Sequence, residues 1–181
     1  MHISREIQIV EYNPNWKKDF EEEKIRLQHL LDSHAVAIEH IGSTAIPNQR
    51  AKPVIDIFIG VSPFRELSFY QRIFNAKEYH YTPIDMTGRY LFAKYTNEVW
   101  THNIHILPCD GFYLRNEFLL RDYLREHPKL VDEYGEVKER AARDNGSTME
   151  EYTRAKTEFI QKVIDAARKE KGLPLQSVWE S

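Results

Sequence analysis

Two short segments concentrate the residue types that could handle a phosphorylated ligand: Gly42-Ser43-Thr44, and Asp56 inside the apolar run Val54-Ile55-Asp56-Ile57-Phe58-Ile59. Glycine lets a backbone approach a ligand closely, and the hydroxyls and N–H groups that follow can grip phosphate oxygens. Alone, a Gly-Ser pair is ordinary loop punctuation. Asp56 changes its meaning, because a carboxylate in an apolar strand is costly unless it is paired, hydrogen-bonded or on a metal. A third segment, Thr101-His102-Asn103-Ile104-His105-Ile106, alternates so that Asn103 and His105 share one face and the isoleucines the other. His105 can act as a metal ligand or as an acid/base near neutral pH, although a structural histidine satisfies the same pattern. Asp56 and His105 are therefore nominated as the catalytic and metal-holding pair. The ion expected is Mg²⁺ or Mn²⁺, since hard cations take carboxylate oxygen.

The elements that must position these residues are legible from periodicity. Asn13-Pro14 opens a helix whose apolar stripe is Trp16, Phe20, Leu27, Leu30 and Leu31. An alternating Ile7–Val10 precedes it, and strands over 36–41 and 53–61 bracket the Gly-Ser turn. Ser62-Pro63 starts a second helix with Phe64, Leu67, Tyr70, Ile73 and Phe74 buried. Arg89–Thr96 and Val99–Leu107 read as strands joined by the two-residue turn Asn97-Glu98. The last third is helical over 114–126, from 129 to about 143, and after a capping box at Ser147–Glu150. Strands early and helices late predict a single α+β domain over 1–181: a mixed, mainly antiparallel sheet of about five strands flanked by helices, with a C-terminal helical layer. Residues 172–181, after Gly172 and Pro174, read as a loose tail.

Composition excludes several classes. Hydrophobic residues make up 41% and charged residues 29%, so the chain can bury an ordinary core. A single cysteine, Cys109, rules out an intramolecular disulfide and a zinc site of several cysteines. No stretch approaches the roughly 20 apolar residues of a membrane span. Met1–Glu6 lacks an apolar signal-peptide core, which points to the cytoplasm. A net charge of −3 gives no signal for non-specific nucleic-acid or lipid binding. The expected partner is a nucleotide or another phosphate-bearing small molecule.

A Gly-Ser turn followed by a strand aspartate resembles polymerase-beta-like nucleotidyltransferases, in which the turn holds the triphosphate and carboxylates on the next strand hold Mg²⁺. Those enzymes carry a second acid two residues on, where this chain has Phe58. More specifically, His40–Ala45, Ala51–Ile57, His102-Asn103-Ile104-His105 and Arg121–Pro128 together resemble the GrpB family, and Tyr12–Trp16 and Tyr152–Lys156 fit as well. The resemblance spans nearly the whole chain and implies a nucleotidyltransferase-like fold. Some members are fused to dephospho-coenzyme A kinase. Carried over, the resemblance implicates His40, Gly42, Ser43, Thr44, Lys52, Asp56 and His105; many relatives have His where this chain has Asn103, and Gly-Leu in place of Asn48-Gln49. Arg121 and Arg125 share a helix face suited to phosphate, and an internally paired face fits them equally. With Lys156 they complete the residues expected to offset ligand charge. Two functions follow as expectations: metal-dependent nucleotidyl or phosphoryl transfer, or a non-catalytic module binding a nucleotide or a coenzyme A-like ligand in the same pocket. A hydrolase using His40 and His105 is a weaker third.

Overall fold

A computed structural model describes residues 7–179; Met1–Glu6, expected to lack a signal-peptide core, and the last two residues of the expected tail lie outside the described residues. The chain divides into two compact units. The first comprises residues 14–45 and 54–113 and holds the sheet; the second, among the described residues, comprises 7–13, 46–53 and 114–179 and is built around helices.

The sheet unit opens with α1 (Asn15–Leu31), where Pro14 pre-sets the first turn and Trp16, Phe20, Leu27 and Leu31 are buried. Then come β1 (Ala35–Ile41), β2 (Ile55–Val61), α2 (Leu67–Ile73), β3 (Tyr79–Thr82), β4 (Tyr90–Thr96) and β5 (Val99–Pro108). Strand order is β1-β2-β5-β4-β3. β2 and β5 pair in parallel, and the other pairs are antiparallel. The mixed sheet expected from sequence is therefore present. Asn97 and Glu98 both take positive φ (50° and 65°), as a tight two-residue hairpin demands.

Side-chain alternation gives the sheet two different faces. Ile55, Ile57 and Ile59 of β2 share theirs with Ile104 and Ile106 of β5 and with His40 and Ile38 of β1. This face meets α1, whose Phe20 ring stacks on His40 at 4.8 Å. Here too lies a buried polar cluster: Lys94 Nζ donates to Glu23 Oε2, and Tyr79 Oη donates to Glu23 Oε1 at 2.6 Å. Glu23 and Lys94 are each 2% exposed, so neither charge can exchange its partner for water. The opposite face carries Asp56, Phe58 and Gly60 beside Asn103, His105 and Leu107.

The helical unit contains α3 (Asn116–Glu126), α4 (Pro128–Asn145), α5 (Met149–Ala155) and α6 (Thr157–Glu170). Its core joins Leu124, Val131, Tyr134 and Val163 to Ile46 from the segment 46–53. Tyr134 stacks on Phe159 at 5.0 Å.

Several local expectations change. Ile7–Val10 forms no strand; Val10 makes only an isolated bridge to Ala51. β3 was not anticipated, because Tyr79-His80-Tyr81-Thr82 is too short and too polar on one side to show a period. The cap before α5 is Thr148, which accepts from Glu151 N at 3.1 Å, one residue later than the capping box expected from Ser147. The helix after it breaks at Lys156 into α5 and α6. In the described part of the expected tail, residues 174–178 are held: Arg168 donates to Pro174 O at 3.0 Å, and Gln161 brackets the segment through Gln176 O at 3.0 Å and Val178 N at 2.9 Å.

The Glu23–Lys94 pair yields the first test. Lys94→Met strands a buried carboxylate and is expected to cost about 3–5 kcal/mol in urea denaturation. Adding Glu23→Gln should restore most of that. A loss below about 1 kcal/mol for Lys94→Met would show that the pair does not hold the sheet to α1.

Candidate functional site

Gly42 ends β1 at φ +74°, a conformation open to glycine and strained for most other residues. Ser43–Ala45 then form a single helical turn, closed by Ala45 N donating to Gly42 O at 3.1 Å. His40 Nε2 lies 2.9 Å from Thr44 Oγ1 and pins the turn from behind. His40 therefore does not share a face with Asp56. It belongs to the α1 side of the sheet, since it registers with Ile57, and its ring is buried against Phe20. Its place is to support the turn, and the strand register sets it on the face opposite Asp56 and His105.

Asp56 registers with Ile41 on one side and Asn103 on the other, which brings it beside the turn. A Cβ added at Gly42 would stand 2.6 Å from Asp56 Oδ2, so the turn and the carboxylate fit together only because position 42 has no side chain. Asn103 Nδ2 donates to Asp56 Oδ1 at 3.1 Å. Trp100 Nε1, which can only donate, meets Asn103 Oδ1 at 3.1 Å and fixes the amide in that orientation. The residue at 103 thus orients Asp56 and adds no charge.

His105 shares the Asp56 face and registers with Phe58. Their rings lie 5.0 Å apart, and the Arg89 guanidinium stands 5.0 Å from the Phe58 ring on a cation–π contact. The His105 Nδ1 atom is buried without a hydrogen-bond partner. Burial, reinforced by the positive charge of Arg89, pushes His105 down to about 3, so the imidazole is neutral throughout the physiological range. On the other face burial pushes His102 down to about 4, against the opposing pull of Glu23.

Among the described residues no group of three or more His, Cys, Asp or Glu could hold a metal ion. Asp56 with a neutral His105 fits a cation only if ligand oxygens and water complete its shell, which is the habit of Mg²⁺ at phosphate sites. Arg89 adds a fixed positive charge at Phe58, where a second acid would otherwise attract a second ion.

Ser43, Gly42, Thr44, Asp56 and His105 thus lie on the sheet unit, while Lys52, Lys156, Arg121 and Arg125 belong to the helical unit. Arg121 Nε is 2.7 Å from Asp122 Oδ1, and Arg125 Nη1 is 3.9 Å from the same oxygen, so both arginines face an internal carboxylate. Arg89 and Trp100 were not singled out by sequence. Trp100 stands just before the His102–His105 motif, and a donor-only side chain beside an amide was the available signal. A groove of about 680 Å³ beside the β4–β5 turn, lined by Arg26, Lys77, His80, Lys94 and Tyr95 among others, contains none of the nominated residues.

A glycine turn closed against a strand aspartate, on a mixed five-stranded sheet, places the protein with the nucleotidyltransferase-like α+β folds. The chain belongs to the GrpB family, whose sequence pattern, described as GrpB protein, matches residues 6–166. It is 30% identical over 165 residues to the Glutamate-rich protein GrpB of Alkalihalophilus pseudofirmus, covering 88% of this chain and 95% of that one. It is 34% identical over 172 residues to the UPF0157 protein YqkA of Bacillus subtilis, covering 93% of this chain. The chain spans about half the length of that relative (49%). The crystal structure of conserved protein GrpB from Enterococcus faecalis superposes with a TM-score of 0.81 at 32% identity, covering 91% of this chain and 99% of that one. Among the described residues, no helix is long and apolar enough to cross a membrane.

Two outcomes follow. Gly42→Ala combines a left-handed φ with a Cβ against Asp56 and should destabilise by roughly 1–3 kcal/mol, measured by urea denaturation. Wild-type stability in that variant would mean the turn relaxes freely. Second, His105 and His102 have folded values of about 3 and 4, below the unfolded 6.5, so the unfolded chain binds more protons in between. Their contribution is constant above pH 7 and is lost as pH falls from about 6.5 towards 3–4. Imidazole NMR titration should find both rings neutral at pH 5; a charged His105 there would contradict the site's electrostatics.

Proposed function

We propose that this protein binds a phosphate-bearing small molecule, a nucleotide or a coenzyme A-like ligand, with its phosphate on the Gly42–Thr44 turn and one divalent cation shared between that phosphate and Asp56. The observation that carries the reading is the contact of Gly42 with Asp56: a backbone stripped of its side chain meets a carboxylate that Asn103 holds in one orientation. Peptide N–H groups at the start of a helical turn suit phosphate oxygens, and a cation between phosphate and carboxylate removes their mutual repulsion. Phe58, with Arg89 over its ring, offers no oxygen for a second cation, and that favours binding over two-metal group transfer.

A second reading is metal-assisted nucleotidyl or phosphoryl transfer. One observation favours it: His105 is neutral and shares the Asp56 face, so a proton acceptor is available beside the carboxylate. In that reaction Asp56 would hold the cation that offsets phosphoryl charge, and the turn would fix the phosphate.

Calorimetric titration with ATP and with coenzyme A, each with and without Mg²⁺, tests the proposal. Ser43→Ala should weaken binding by about 1.5–3 kcal/mol, roughly ten- to a hundredfold. Asp56→Asn should abolish the Mg²⁺ dependence while leaving the fold intact. If Ser43→Ala loses about 1 kcal/mol of stability with affinity unchanged, the turn is only a structural cap. Phosphorus NMR of the incubated nucleotide separates the two readings: an unaltered spectrum is expected for a binding module, and new phosphate resonances dependent on Asp56 would establish transfer.

A further inference from the structure

The groove beside the β4–β5 turn lies within the sheet unit and uses none of the residues of the site above. Its volume, about 680 Å³, falls in the range of small-molecule sites. The strands themselves create it. β3 begins at Tyr79, opposite Lys94, so the β4–β5 hairpin runs on past it and leaves a ledge over residues 95–98. The β4–β5 register also shifts between Lys94 and Tyr95, and a bulge of that kind twists a hairpin locally and re-aims its side chains.

The charges along this groove are of both signs and are not spent on one another. Lys94 is neutralised by Glu23, whose two oxygens are taken by Lys94 and Tyr79. Arg26 therefore keeps only a 3.8 Å contact with Glu23 and retains most of its five N–H donors. Lys77, Glu78 and Glu98 are exposed, and their side chains make no hydrogen bond or ion pair among the described residues. Two cations and two carboxylates thus line one groove with their formal charges in balance. A phosphate would meet the carboxylates as well as the cations, and would gain little. An aromatic wall accompanies the charges: the His80 and Tyr95 rings meet edge to face at 5.3 Å, and Tyr95 is 37% exposed.

Glu98 is the least expected member of the set. Asn97 and Glu98 hold φ at 50° and 65°, and the second position of such a turn suits glycine. A glutamate there strains the backbone, and what it brings is a carboxylate on the groove.

We infer that this groove binds a zwitterionic ligand, an amino acid or a short peptide, its carboxylate on Arg26 and Lys77 and its ammonium on Glu78 and Glu98. The guanidinium fork of Arg26 matches a carboxylate, and the Tyr95 and His80 rings suit an apolar or aromatic side chain. A free amino acid and a dipeptide share this chemistry and differ in the spacing of their end charges. The inference goes beyond the phosphate reading of the Gly42 turn and stands without it, since the two sites share no residue.

The test is an NMR titration of the isotope-labelled full chain with phenylalanine and with alanyl-phenylalanine. The backbone amides of residues 77–80 and 95–98 should shift saturably, and the tighter of the two probes identifies the ligand as amino acid or peptide. N-acetylphenylalanine amide, which carries neither charge, should leave those amides unmoved. Lys77→Ala and Glu98→Gly should each weaken binding roughly three- to tenfold, the scale of exposed ion pairs. Glu98→Gly should also melt at or above the wild-type temperature, because Asn-Gly suits the turn. A purely structural role for Glu98 would not combine lost affinity with undiminished stability. Ser43→Ala should bind these probes as wild type does, whatever becomes of its affinity for nucleotides. No saturable shift at the groove with either zwitterion at millimolar concentration overturns the inference. So does wild-type affinity in either Lys77→Ala or Glu98→Gly, or equal binding of N-acetylphenylalanine, which keeps only the carboxylate.

Discussion

The parallel register of β2 on β5 is the constraint from which the candidate site follows. It sets Asp56 opposite Asn103 and Phe58 opposite His105. A slip of one residue would turn Asp56 into the isoleucine layer under α1 and bring Ile57 out in its place. The alternation of isoleucines on the other face prevents that slip, because Ile55, Ile57, Ile59, Ile104 and Ile106 are each at most 3% exposed. Packing on one side thus enforces the chemistry on the other. Antiparallel β1 then delivers Gly42 to the carboxylate, and only a residue without a side chain can complete the approach.

Much of this was readable in the chain. The Asp56 and His105 faces came correctly from a period of two, and the sheet's strands, β3 excepted, from alternation between turn signals. What alternation could not supply was the side to which His40 belongs. That depends on its antiparallel pairing with β2, which ties His40 to Ile57 and the α1 face. Arg89 was illegible for a different reason, since it reaches Phe58 from the residue just before β4 and no sequence spacing encodes that contact. Gly172 and Pro174 end the helix as the sequence signals, yet Arg168 and Gln161 provide hydrogen bonds that hold residues 174–178 beyond it, and no spacing encodes those contacts.

The electrostatics of the sheet site argue for economy of charge. Asp56 with a neutral imidazole and a guanidinium over an aromatic ring is the set of groups on which the proposed single divalent cation and anionic ligand depend. Where a second acid would double the metal-binding power, Phe58 presents a ring and Arg89 a permanent positive charge. In the proposed reading, such an arrangement would hold a phosphate without requiring that it react. Asn103, tied to Trp100 on one side and Asp56 on the other, keeps the carboxylate aimed with no added charge.

The most direct measurement is a crystal structure of the protein grown with a non-hydrolysable ATP analogue and Mn²⁺, with the metal located by its anomalous signal. The account predicts one anomalous peak, within coordination distance of Asp56 and of a phosphate oxygen, with that phosphate on the Gly42–Ser43 backbone amides. An anomalous peak away from Asp56, or an ordered nucleotide whose phosphates do not touch the turn, would contradict it.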